Sequence, residues 1–400
     1  MAITVETLRG TTSKATASGQ PDAVPYPRLH TITPLVYSEG LSASSGHNIW
    51  LKLETEQLSG SFKPRGIGRS CWAAVQRLGP AAHLVAASGG NAGIAAALSA
   101  RTLGVKCTVF VHDKTEQLVM DKMRSYGANV RVMDGGWERV DAGAREFART
   151  DPLAQYIHPF EGDDVVRGHA SIIDEMYDQL PRVSRERGMN EPVSRPDVVC
   201  CSVGGGGLIR GIMLGLSEHA ERDGTPPTHV IGVTTFGSDS WGLSLESDDT
   251  FVTLDNPVSR AKSLVCKACS PIAVRDARIY ASKGAITLDP EPLKGRSGRH
   301  LTEIRVDDAF AGAAAWQATD ELNQLIELSC GVALVPAYQR SVLDHLVAKK
   351  GLAGKLNVVI VVCGGSRIDL ETIEEFKTTY GTGFGEIVVD GEIVQHVPRP

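Results

Sequence analysis

Six short apolar runs limit what this chain can fold into. They are "HLVAAS" (83–88), "CTVFV" (107–111), "NVRVM" (129–133), "VVCCSV" (198–203), "HVIGV" (229–233) and "VVIVVC" (358–363). Runs this short and this apolar read as strands buried on both faces. Helical patterns lie between them. "NAGIAAALSARTLG" opens on Asn and stops at Gly, and "TEQLVMDKMRSYGA" opens on Thr and stops near Gly127. Strands alternating with helices predict an α/β fold of parallel sheets with covering helices. The 400 residues leave room for two or three units, or for one large α/β body with an inserted lobe. The tail "GEIVVDGEIVQHV" (385–397) predicts a β-hairpin turning on Asp390 and Gly391, as an added sheet edge or an oligomer contact.

Composition removes several function classes. The net charge is −6 with basic residues spread along the chain, so no patch points to nucleic acid. No stretch approaches the about 20 apolar residues of a membrane helix. The first 28 residues are rich in Ser, Thr, Ala and Gly and read as a loose arm. They lack the apolar core of a secretory signal, and Glu6 and Asp22 fit a mitochondrial presequence poorly. Cys107, Cys200, Cys201 and Cys363 lie in or at the ends of apolar runs, as free thiols in a reducing compartment do. "CKAC" (266–269) has no second cysteine pair or nearby histidines, so it reads as two unrelated thiols rather than a zinc site. These features fit a cytoplasmic protein without a metal.

Ligands of such sheets gather at the C-terminal strand ends, and three of those ends carry glycine-rich loops. In "ASGGNAGIA" (87–95), Ser88, Gly89, Gly90 and Asn91 turn into a helix whose first amides suit a carboxylate or phosphate. In "SVGGGGLIRG" (202–211), four successive glycines expose their amides as a nest for a dianionic phosphate. The loop is neither a Walker A sequence nor a dinucleotide fingerprint, because the third glycine position of the latter falls on Ile209. In "VVCGGSRIDL" (361–370), Cys363 ends a strand where a neutral thiol can meet a ring nitrogen. "SGSFKPRG" (59–66) adds the amine of Lys63 beside Phe62. A phosphate nest, a ring partner, a carboxylate loop and a lysine together suit pyridoxal 5'-phosphate.

The motifs "SGSFKPRGIG", "SGGNAGIAAA", "HPFEGDDVVRGHASI", "SVGGGGLIRG", "TFGSDS" and "VVCGGSRI" stand in the order found in the catabolic L-serine/L-threonine dehydratases. From about Thr33 to Tyr380 the chain resembles that branch of the tryptophan-synthase-β-like, fold type II pyridoxal-phosphate enzymes. The resemblance implies two open, twisted, mostly parallel sheets with flanking helices and an active site between the domains. It implies a large cofactor-binding domain at 29–57 and 160–380, a small domain at 58–159, and a C-terminal extension at 381–400. It implies β-elimination of serine, threonine or a related β-hydroxy amino acid to a 2-oxo acid and ammonia, by a homodimer. Lys63 and Ser88 are then the catalytic residues, with Lys63 as the Schiff-base lysine. Phe62, Lys63, Asn91, Gly204, Gly205, Gly206, Gly207, Leu208 and Cys363 bind the cofactor, with Ser366 a second candidate for the ring nitrogen. Ser88, Gly89, Gly90 and Asn91 bind the substrate.

The chain departs from that pattern in places. Gly89 stands where relatives carry Ala or Ser, so extra room for a bulkier side chain is expected there. Thr234 replaces a Glu near a cation site, and Leu328 follows Glu327 in place of a proline. An amino-acid racemase and a β-replacement enzyme are the alternatives on this fold. A serine in place of Cys363 would favour the first, and a GTGGT-type loop the second. His158 and His169 read as satisfied structural histidines. Arg65 reads equally as a phosphate or substrate contact or as a surface residue at a helix start.

Overall fold

The computed structural model describes residues 25–247, 250–288 and 298–400. Most of the expected N-terminal arm lies outside them. Among the described residues, twelve strands make two sheets. They are β1 (Leu35–Ser38), β2 (Asn48–Leu53), β3 (His83–Ala87), β4 (Lys106–His112), β5 (Asn129–Met133) and β6 (Ala154–Ile157), followed by β7 (Val198–Ser202), β8 (His229–Thr235), β9 (Leu301–Val306), β10 (Asn357–Val362), β11 (Gly385–Val389) and β12 (Glu392–Val397). The smaller sheet has the order β5-β4-β3-β6 and is parallel throughout. The larger has the order β1-β2-β10-β7-β8-β9-β11-β12, with a parallel centre from β2 to β9 and antiparallel edges. The expected fold class is the one observed.

Central strands are buried because helices cover both faces, and most of their residues are apolar. All of β7 and β8 is buried. In β3 the residues alternate between two cores. Leu84 and Ala86 pack with the Lys63–Leu78 and Asn91–Leu103 helices, and Val85 and Ala87 with the Trp137–Thr150 helix. "NVRVM" departs from its reading as a doubly buried strand. It forms β5, at the sheet edge, and none of its five residues is buried. Its Asn and Arg mark it as a strand with water on one side.

The tail forms the expected hairpin, and β11 pairs with β9. Asp390 and Gly391 both have positive φ (47° and 82°), the backbone of a tight hairpin turn. The turn is anchored to β9, where the Glu303 amide donates to Asp390 Oδ1 at 3.0 Å.

The helix carrying the lysine is held from below by buried charges. Arg65 is fully buried, so both earlier readings of it give way to a third. Its guanidinium forks onto Glu54 (2.7 Å) and Glu175 (2.8 Å), and Lys52 donates to Glu175 at 2.6 Å. Two cations meet two anions, so charges that are costly to bury alone are compensated. Close backbone contact completes the joint. A Cβ on Gly168 would lie 2.1 Å from the Arg65 carbonyl oxygen, so only glycine fits.

Candidate active site

Lys63 opens the Lys63–Leu78 helix, and Pro64 occupies the first turn, where no amide donor is needed. The preceding loop is stitched to the loop after β10 by main-chain bonds. Phe62 N donates to Cys363 O at 3.1 Å, Gly365 N donates to Gly60 O at 2.8 Å, and Ser61 bridges Gly364. Gly364 has φ +77°, and a Cβ there would lie 2.3 Å from Gly60 O. Main-chain bonds therefore hold the lysine loop against the cysteine loop.

The Lys63 amine donates to Pro159 O at 2.8 Å and lies 5.1 Å from the Phe62 ring centroid. Burial pulls its pKa down to about 8, although the nearby Cys363 and Cys266 thiols oppose the shift. Among the described residues no carboxylate holds its charge, so loss of the proton near pH 8 is easy. Cys363 is buried, with Sγ 3.6 Å from Ser202 Oγ. Ser366 is engaged elsewhere. Its hydroxyl donates to Ser59 O at 2.8 Å and accepts from Lys122 Nζ at 3.1 Å.

The glycine run caps the Gly207–Asp223 helix. Gly206 has φ +90°, and a Cβ there would meet Ala273 Cβ at 2.3 Å. At Gly205 a Cβ would strike the Phe160 ring at 2.5 Å, and at Gly207 the Phe160 carbonyl at 2.6 Å. Among the described residues, no acceptor meets the amides of Gly204, Gly205, Gly206, Gly207, Leu208 and Ile209. Six successive amides without acceptors among the described residues, running into the first turn of a helix, make a cradle for a phosphate. The residues present thus fit pyridoxal phosphate: a cradle without side chains, an amine of lowered pKa and a buried thiol. The His158–Phe160 segment after β6 links them, touching Lys63 at Pro159 and the cradle at Phe160.

Asn91 is the first residue of its helix, after Gly90 as cap. Its Oδ1 accepts from Ser366 N at 3.1 Å, and its Nδ2 reaches Ser263 Oγ (3.2 Å) and Glu327 Oε1 (3.4 Å). Buried Glu327 also accepts from the Ser263 hydroxyl and from Arg367 N. It stands immediately before the Leu328–Tyr338 helix, and this network was not legible in the sequence. Ser88 Oγ accepts from Gly90 N at 3.3 Å. Gly89 overturns the expectation of extra room. Its missing side chain is matched by Thr115, whose Oγ1 lies 2.4 Å from where a Cβ would stand.

The histidines differ from each other. His158 Nδ1 accepts from the Glu161 amide at 2.9 Å, and burial lowers its pKa to about 4. His169 is fully buried, 5.0 Å from the Phe62 ring, and neither ring nitrogen has a partner among the described residues. Burial first, then Lys63 and Arg65, hold its pKa well below the usual range, so the ring is neutral. It is a packed support for Phe62 rather than the satisfied histidine expected. Thr234 is fully buried in β8, and no cluster of metal-ligating side chains occurs among the described residues.

A sequence model of the family "pyridoxal-phosphate dependent enzyme" matches residues 27–364. The chain is 33% identical over 360 residues to human L-serine dehydratase/L-threonine deaminase, covering 88% of this chain and 96% of that one. It is 30% identical to the catabolic L-serine/threonine dehydratase of Saccharomyces cerevisiae, covering 87% and 90%. Among solved structures it is similar to a fungal L-serine ammonia-lyase from Rhizomucor miehei, with a TM-score of 0.71 and 27% identity over 88% of this chain and 99% of that one. A buried lysine linked through Pro159 and Phe160 to a glycine-rich amide cradle, and relatives of this kind, lead to one assignment: the chain belongs to the pyridoxal-phosphate dependent enzymes.

Proposed function

We propose that the protein dehydrates and deaminates a β-hydroxy amino acid of the L-serine/L-threonine class, giving a 2-oxo acid and ammonia. The observation that carries this is the stitched pair of loops that holds the Lys63 amine beside the buried Cys363 thiol. Pyridoxal phosphate would be held by the Gly204–Leu208 amides, Phe62, Asn91 and Cys363, with Lys63 as its covalent anchor. When bound, it supplies an electron sink that acidifies the Cα–H of an amino acid. The chain supplies the rest. The amides at the start of the Asn91–Leu103 helix, with the Ser88 hydroxyl, bind and orient the substrate carboxylate. Lys63 Nζ takes the Cα proton, and a pKa of about 8 leaves part of the amine neutral near physiological pH. The Cys363 thiol, rather than a carboxylate, would face the ring nitrogen. A site without that counter-charge favours departure of the β-hydroxyl together with proton loss over inversion at Cα. The human and yeast relatives, by name, act on serine and threonine.

The test is direct. Lys63→Ala should abolish turnover and the absorbance band near about 410 nm expected of the lysine-bound cofactor. Wild-type turnover should rise with pH through about 8 as Lys63 loses its proton. Inversion of configuration without 2-oxo acid would sink the elimination reading. Free cysteines among the described residues fit a reducing, cytoplasmic setting, and no described helix is long and apolar enough to cross a membrane. We infer a homodimer from the family resemblance; sedimentation would test it.

A further inference from the structure

The segment that contains "CKAC" forms a wall of the site. From Ser263 to Ser270 it runs along the glycine loop. The place of a Gly204 Cβ is 3.0 Å from Leu264 Cα, and that of a Gly206 Cβ is 2.9 Å from Cys269 Sγ. Ser270 N donates to Gly205 O at 3.2 Å. Ser263 opens this segment beside Asn91. Its own amide donates to Ser329 Oγ at 3.1 Å, in the first turn of the Leu328–Tyr338 helix. Ser263 thus joins the phosphate cradle, through Leu264, to the loop that carries Asn91.

The hydrogen bonds around Ser263 admit one orientation. The amides of Ser366 and Arg367 donate, and a carboxylate accepts. Asn91 therefore turns Oδ1 to Ser366 N and Nδ2 to Glu327 Oε1, onto which Arg367 N also donates at 3.0 Å. Nδ2 also donates to Ser263 Oγ at 3.2 Å, and the Ser263 hydroxyl in turn donates to Glu327 Oε2. A triangle closes: Asn91 to Ser263, Ser263 to Glu327, Glu327 back to Asn91. Its direct side, between Asn91 and Glu327, is long for a hydrogen bond at 3.4 Å. The Ser263 hydroxyl is therefore the tighter link between the two. Close packing keeps the carboxylate in place, because a Cβ on Gly365 would lie 2.1 Å from Glu327 Cδ.

Resting on the reading that Asn91 holds the cofactor, we propose that Ser263 is a positioning residue whose hydroxyl ties Glu327 to Asn91 and so fixes the Asn91 amide against the cofactor. It acts through Asn91 and takes no proton from the substrate. Neither a lone amide at a helix start nor a cysteine pair in a loop signals this role in sequence. The side chain that performs it lies 172 positions from Asn91.

The experiment follows loss of the visible band when holoenzyme is diluted into buffer without cofactor, together with kcat and KM on L-serine. Ser263→Ala should release cofactor about three- to thirty-fold faster, the range expected for one hydrogen bond to a partly charged network. Its kcat should fall while KM for serine changes less than about three-fold, because the carboxylate loop is untouched. Ser263→Thr keeps the hydroxyl and should return the release rate to within about three-fold of wild type. Asn91→Ala should also speed release, and adding Ser263→Ala to it should change the rate by less than about two-fold, because the two act as one unit. A wild-type release rate in Ser263→Ala, a threonine variant no better than alanine, or fully additive effects with Asn91→Ala would each overturn the proposal. A wild-type release rate in Asn91→Ala would sink the placement of Asn91, and the proposal with it. If wild-type holoenzyme forms no 2-oxo acid from serine or threonine, the elimination reading fails, and the release rates still decide the role of Ser263.

Discussion

At the residue scale, Gly89 shows how a local absence can be misread. From sequence alone its missing side chain looks like space for substrate. The fold spends that space on Thr115, whose Oγ1 would meet a Cβ at 2.4 Å. Gly89→Ala should therefore destabilise by about 1–3 kcal/mol, the usual cost of overpacking, without widening the substrate range. Thr115→Ala should relieve most of that cost in the double variant, as a double-mutant cycle in thermal unfolding would show. Additive costs would count against the contact. Lys63 is the opposite case. Its flanking Ser, Gly, Phe and Pro made it stand out in the chain, and the structure explains its lowered pKa by burial without a carboxylate partner.

At the scale of elements, the strands, the glycine loops and the hairpin turn were legible because each follows from local chemistry. Continuous apolar runs became central strands, and Asp390-Gly391 became a turn. What was not legible joins residues far apart in sequence. Glu327, Asn91, Ser263 and Arg367 form one network that reaches from residue 91 to residue 367. No spacing rule reaches that far. Strand β9 carries a second buried group of this kind. Glu303 is 3% exposed, neither carboxylate oxygen has a hydrogen-bond partner among the described residues, and Gly242 makes room for it. Burial raises its pKa to about 8, with Arg305 opposing and Glu246, Asp390 and Asp239 adding to the rise. A carboxylate whose folded pKa is raised costs nothing below its unfolded value near 4.5. The cost grows as pH climbs from there and levels off above about 8. Glu303→Gln should thus be close to neutral at pH 4.5 and increasingly stabilising up to pH 8, by at most about 4–5 kcal/mol. Melting temperatures across that range would check it, and a difference independent of pH would refute it.

For the whole molecule, the buried charges around Arg65 couple the first strands of the large sheet to the helix that bears the lysine. Lys52 belongs to β2, Glu54 follows it, and Glu175 lies in the Asp163–Glu186 helix. Arg65→Ala would leave two carboxylates facing one lysine, and should cost about 3–5 kcal/mol in denaturant unfolding. A cost below about 1 kcal/mol would mean that the cluster is incidental. The stitched loops have a different consequence, for how such a site can be altered. Their bonds run from amide to carbonyl, so they are blind to what the neighbouring side chains are. Side chains that take no part in those bonds, such as Thr115, can then vary while the main-chain stitching of the two loops stays in place. In an engineer's terms, the bench is bolted down and the tools on it are interchangeable.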